Sequence, residues 1–110
     1  MTIESDKERI ISEIDYLPSL TTPDFPYASP IAKIAAKALI ESLERRLPDS
    51  LAADLGGGIF MQFVDFPFIQ VGIGSRGELG FLVLKAEKGS LAIEKDLGVT
   101  VQKLVDLIER

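Results

Sequence analysis

Between Ile69 and Val83 the apolar residues form a mirror image about Gly74-Ser75-Arg76-Gly77-Glu78, and no other stretch restricts the fold as tightly. Gly77 suits the left-handed position that follows a type I turn in a three-residue hairpin loop. Position 74 then faces 78, and counting outward pairs Ile73 with Leu79, Val71 with Phe81 and Ile69 with Val83. Six apolar side chains fall on one face, each worth ~1.5–3 kcal/mol when fully buried. That face is the expected core.

The hairpin is the centre of a longer apolar run from Ile59 to Ala86. Upstream, Asp65-Phe66-Pro67-Phe68 joins a strand starting at Ile59 to the strand at Phe68. A two-residue loop places Phe60, Gln62 and Val64 on the core face, whereas one residue more exchanges them for Met61 and Phe63. A tight turn with Pro67 third requires a cis Phe66-Pro67 peptide. Downstream, Glu87-Lys88-Gly89 repeats the three-residue turn chemistry. It sets Ala86 opposite Ser90 and Val83 opposite Ile93, with Glu94 and Lys95 guarding an edge strand of about Ser90 to Lys95.

Helical patterns flank the strands. Ser5-Asp6-Lys7-Glu8 matches a capping box, and Ile10, Ile11, Ile14 and Leu17 follow at helical spacing with Lys7, Arg9 and Glu13 toward solvent. Ser29-Pro30 starts a second helix, with Ser as cap and Pro at the first helical position. Its apolar face is Ile31, Ile34, Ala35, Ala38, Leu39, Ser42 and Leu43, Glu41 and Arg45 are an i,i+4 pair, and Pro48 stops it near Leu47. Thr100 caps a last helix carrying Val101, Leu104, Val105 and Ile108. The expectation is a two-layer α+β fold: a four-stranded antiparallel meander with two helices before it and one after it, ααββββα.

Between the first two helices runs LPSLTTPDFPYASP, with four prolines. Each Pro pushes its predecessor into extended conformation, so residues 18–29 read as a strap. Leu20, Phe25 and Tyr27 are large groups for a linker, and Phe25 and Tyr27 are candidates for partner contact. Tyr16 and Tyr27 read as packed rings with wet hydroxyls.

The residue inventory excludes much chemistry. In 110 residues, a single-domain length, there is neither Cys nor His. Thiolate nucleophiles, disulfides, Cys-containing metal sites and every His-based relay are therefore absent. Twelve basic against seventeen acidic residues give a net charge of −5, with the basic residues scattered, so no stripe exists to follow a phosphate backbone. Neither a signal peptide nor a membrane span is legible, and a cytoplasmic protein is expected. No cofactor and no metal is expected.

Two glycine motifs bear on function. Gly72-Ile73-Gly74-Ser75-Arg76-Gly77 spells a dinucleotide fingerprint, but the fingerprint needs a helix to begin at the loop, and Leu79–Leu84 reads as a strand. Asp54-Leu55-Gly56-Gly57-Gly58 resembles, over five residues, the phosphate-binding hairpin of the actin, sugar-kinase and heat-shock ATPase superfamily. Ile59 stands where that family usually has Thr, and a chain this short cannot build its two lobes. A loop in which Asp54 caps nearby backbone N–H groups is the reading kept.

What remains is the second face of the sheet. Phe68, Leu82 and Leu84, interleaved with Gln70, Gly72 and Gly80, are too apolar for water and too sparsely filled for a thick core. That suits a partner protein or a second copy, with a homodimer favoured. Helix 2 covering this face would instead make a monomeric sandwich. The expected class is a non-catalytic binding module of adaptor, inhibitor, immunity or chaperone type, with Phe68, Gln70, Leu82, Leu84, Phe25 and Tyr27 at the contact. The competing reading is a small-ligand binder or carboxylate-dependent enzyme built from Asp54, Asp65 and Arg76 at one end of the sheet.

Overall fold

In the computed structural model, which describes residues 3–19, 25–65 and 67–110, the elements run α1 (Ile3–Tyr16), α2 (Pro30–Ser42), β1 (Ser50–Ala53), β2 (Ile59–Phe63), β3 (Phe68–Ile73), β4 (Leu79–Glu87), β5 (Ser90–Leu97) and α3 (Val101–Ile108). The class is α+β, with one antiparallel sheet in the order β1-β2-β3-β4-β5. The sheet has five strands where the sequence predicts four. The added strand, β1, pairs Leu51 with Met61 and Ala53 with Ile59. No helix among the described residues is long and apolar enough to cross a membrane.

The central hairpin has the register its turn dictates: Ile73 faces Leu79, Val71 faces Phe81 and Ile69 faces Val83. The turn closes through the Gly74 amide donating to the Glu78 carbonyl at 2.8 Å, with Gly77 at φ +88°. Between β2 and β3 the longer loop is the one adopted. Phe63 faces Ile69 and Met61 faces Val71, so Met61 and Phe63 enter the core and Phe60 and Gln62 point away. The Phe66-Pro67 peptide lies outside the described residues, as does Leu20.

The β4–β5 turn differs from expectation by one residue. Lys88 and Gly89 both take positive φ, +49° and +82°, in a two-residue loop that pairs Glu87 with Ser90. Two successive left-handed residues match the right-handed strand twist better than the three-residue alternative. Val83 therefore faces Glu94, not Ile93. A one-residue slip exchanges the faces of a whole strand, so Leu91, Ile93, Lys95 and Leu97 share the face of Leu82 and Leu84.

All three helices contribute to one core with the inner face of the sheet: Ile10 and Ile14 from α1, Leu39 and Ile40 from α2, Leu104 and Ile108 from α3. The strip of α2 that packs inward is Ala32, Ala36, Leu39 and Ile40, followed by Leu43. This rotates the helix from the predicted face and leaves Ile31 and Ile34 exposed. Its small Ala side lets the helix lie close on the strands. Ser29 caps it by accepting from the Ala32 amide at 3.0 Å, with Pro30 following.

The helix stops at Ser42, short of Pro48, where the carboxylate of Glu109, the C-cap of α3, accepts from the Glu44 and Arg45 amides and holds the bend that follows. Arg45 thus lies beyond the helix, and its i,i+4 relation to Glu41 is lost. In α1 the helix already includes Ile3, so Ser5 is inside it and is not its cap. Lys7 is buried rather than solvated: its ammonium donates to the Glu41 carbonyl at 3.1 Å, near the C-terminal end of α2. Lys33 returns the arrangement by donating to the Asp15 and Leu17 carbonyls at the end of α1. Each of these antiparallel helices receives a cation at its negative end from the other.

Candidate functional site

With the helices on one side, the opposite face of the sheet is open. Strand alternation places on it Ala52 from β1, Phe60 and Gln62 from β2, Phe68, Gln70 and Gly72 from β3, Gly80, Leu82 and Leu84 from β4, and Leu91, Ile93, Lys95 and Leu97 from β5. Cross-strand pairs order this surface into rows. Phe68 stands opposite Leu84 and Ile93 follows; Gln70 stands opposite Leu82 and Lys95 follows; Gly72 stands opposite Gly80 and Leu97 follows. Phe60 sits beside Gly72 on the other side.

The exposure is large where it counts. Leu91, Ile93 and Leu97 are 70%, 65% and 86% exposed, and no described helix or loop covers them. A shallow groove runs here past Gln70, Gly72, Leu82, Lys95 and Leu97, with Asp54 and Glu78 toward its far end. A Cβ added to Gly72 would have nothing within 4 Å, so the hollow beneath that position is empty. In the rows from Phe68 to Leu97 the one charge is Lys95, and the Asp54 and Glu78 carboxylates line the groove one row further on.

Four of the six residues expected at a partner contact are therefore together: Phe68, Gln70, Leu82 and Leu84 form two adjacent cross-strand pairs. Phe25 and Tyr27 are elsewhere. The Tyr27 amide donates to the Asp54 carbonyl at 3.0 Å, and the Ser29 amide donates to the Gly57 carbonyl at 2.8 Å, which docks the end of the strap on the β1–β2 loop. Tyr27 lies over Gly57, where φ is +87° and an added Cβ would come within 2.9 Å of the ring. Phe25 remains 69% exposed beside it. The Ser29 hydroxyl also donates to the Ser75 carbonyl at 2.6 Å, tying the strap to the β3–β4 turn.

The acidic trio does not converge. In a meander the β1–β2 and β3–β4 loops lie at one end of the sheet and the β2–β3 loop at the other, so Asp54 and Arg76 are separated from Asp65 by the length of β2, roughly 16 Å. Asp54 is occupied: one carboxylate oxygen accepts from the Gly56 amide at 2.7 Å and from the Gly58 amide at 2.9 Å. The Asp65 carbonyl takes the Arg46 guanidinium at 2.9 Å, while Arg46 also lies 5.3 Å from the Phe63 ring centre. Among the described residues no three Asp or Glu side chains are placed so that they could hold a metal ion.

Sequence reasoning left the face of Phe60 open between two loop lengths and missed Leu91, Ile93 and Leu97 as members of the outer face. No sequence signal marked the last three, because Lys88 takes the left-handed position that Asn, Asp or Gly usually fills in a two-residue turn. Compared with known protein families, curated proteins and solved structures, the chain finds no match in any of the three.

Proposed function

We propose that this chain is a non-catalytic protein-binding module that works through the outer face of its sheet. The observation that carries the reading is the set of apolar side chains Phe60, Phe68, Leu82, Leu84, Ile93 and Leu97 on the side away from all three helices. Single exposed apolar side chains are ordinary on any protein. A contiguous band across four neighbouring strands is not, and patches beyond a few hundred Å² mark docking surfaces. Gln70 and Gln62 add amides that can satisfy a partner's polar groups, and the polar rim includes Lys95.

The test compares two sets of substitutions, each checked for folding by circular dichroism. Leu82→Glu with Leu84→Glu places two carboxylates in the middle of the face and is expected to abolish complex formation in pull-downs from the native cell. Asp54→Ala, Asp65→Ala and Arg76→Ala together are expected to leave it nearly intact. Complexes that survive the glutamates, or a turnover or ligand signal lost with the alanines, would overturn the reading.

A further inference from the structure

We infer that the occupant of this face is a second copy of the same chain, related by a two-fold axis that crosses the strands at the Gln70–Leu82 pair. The inference rests on the protein-binding reading above and specifies its partner.

The relief of the face is self-complementary about that line. On β3 and β4 the pair Phe68–Leu84 makes a ridge and Gly72 leaves a hollow, while the Leu97 side chain leans over the neighbouring Gly80, with Gln70–Leu82 midway between ridge and hollow. Ridge and hollow are four residues apart on each strand, about 13 Å. Rotation about the middle row lays Phe68 of each copy into the hollow at Gly72 of the other, and sets Leu84 and Ile93 against the Leu97 side chain that covers Gly80. Such an isologous contact uses each patch twice. At the axis Leu82 meets its own copy, and Gln70 meets Gln70 through an amide that is both donor and acceptor.

Charge and area agree with a second copy. The chain carries −5 overall, and the carboxylates at this face, Asp54 and Glu78, lie one row beyond Gly72–Gly80, which rotation about the middle row sets against Ala86 and Leu91, so two copies approach here without acid facing acid. Lys95 would face Lys95, but on the edge strand β5, where the long stem carries the ammonium to water. Five strands by the length of β3 give a footprint of roughly 24 Å by 20 Å, or about 1,000 Å² for the two copies together before side-chain relief is added, which reaches the size of a specific interface. Stacked sheets of this kind align at about 30° with ~10 Å between them.

Sedimentation or light scattering at micromolar concentration is expected to report twice the 12.0 kDa chain mass. Gly72→Val fills the hollow and Phe68→Ala removes the ridge, and each is expected to raise the dimer dissociation constant at least about ten-fold. Gly72→Val has open space in the monomer, so it leaves the fold intact by circular dichroism; Gly72→Ala is the milder companion. The double variant Gly72→Val with Phe68→Ala is expected to weaken the dimer clearly less than the product of the two single effects. Residues this far apart on one strand do not couple directly within a chain, so the coupling reports the contact across the axis. A wild-type chain that stays at 12.0 kDa overturns the second copy, and the pull-down with the two glutamates then decides separately whether another protein uses the face. A dimer in which the two substitutions simply multiply overturns the placement of the axis.

Discussion

The two faces of this sheet are built from the same strands, often from adjacent residues, yet they differ in kind. The inner face presents Met61, Phe63, Ile69, Val71, Ile73 and Val83, all within 2% of complete burial. The outer face interrupts its Phe and Leu side chains with Gly72, Gly80, Gln62 and Gln70. The inner pattern is dense enough to be closed by α2, whose Ala32 and Ala36 let its backbone approach. The outer pattern leaves a gap at Gly72, and no described helix covers it. Alternation made both faces apolar, and the distribution of side-chain size decided which of them the chain covers itself.

The largest effects should separate the faces most clearly. Phe63→Ala removes a fully buried ring and is expected to lower the stability of the fold by ~3–5 kcal/mol. Ile93→Ala, on the open face, should lower it by about 0.5 kcal/mol, the scale of a strand preference rather than of a core contact. Urea denaturation below the concentration at which the chain associates measures both. Similar costs would break the comparison, because they would mean that the outer face is covered within the folded monomer.

Two glycines sharpen the same contrast at an intermediate scale. A Cβ on Gly58 would lie 2.4 Å from the Ile73 carbonyl oxygen and 2.8 Å from the Asp54 carboxylate, so Gly58→Ala forces the β1–β2 loop off its neighbour strand. A loss of ~1–3 kcal/mol is expected, as for other overpacked positions. Gly72→Ala meets nothing within 4 Å and removes a flexible residue from a strand interior, so the monomer should gain ~0.5–1 kcal/mol. Paired denaturation curves with opposite shifts are the expected result. A destabilising Gly72→Ala would show that the hollow is already filled.

The sequence shows the sheet where its turns have distinctive chemistry. Gly74-Ser75-Arg76-Gly77-Glu78 set the β3–β4 register residue by residue, and Ser29-Pro30 and Thr100 marked helix starts whose caps are observed. β1 was illegible because Ser50-Leu51-Ala52-Ala53 has no strand preference of its own. It is a strand because the Asp54 carboxylate gathers the Gly56 and Gly58 amides and folds it back on β2. The face of α2 was misread for a similar reason. Ile31 and Ile34 are more apolar than Ala32 and Ala36, but a helix lying flat on a sheet needs small residues at the contact. Lys7 reads as a surface residue until its partner is known, since the Glu41 carbonyl that accepts from it is 34 positions away. Of the expected contact residues, strand periodicity placed Phe68, Gln70, Leu82 and Leu84 together, whereas nothing in the strap's prolines indicated that Tyr27 docks on Gly57.

β5 gives the smallest effect and the closest look at why the outer face is the apolar one. On this edge strand the usual orientation is reversed: Leu91, Ile93 and Leu97 point away from the helices, while Glu94 and Asp96 point toward them. There Glu94 pairs with Lys85, and Asp96 lies 3.5 Å from Lys103 of α3. Hydrogen bonding to Lys85 first, and the attraction of its charge second, hold the Glu94 carboxyl below its ordinary value. A carboxyl whose folded value is depressed contributes stability that is present above its unfolded value and lost as pH falls through the folded one. Acidification past the ordinary carboxylate range is therefore expected to loosen the β4–β5 hairpin slightly, as faster amide exchange near Lys85 and Glu94, with little change in global stability because the pair is exposed. Lys85→Met should move the Glu94 titration, followed by NMR, back up toward the ordinary value. An unchanged midpoint would mean that the pair does not set the orientation of β5, and would remove one reason for its leucines and Ile93 to lie on the open face.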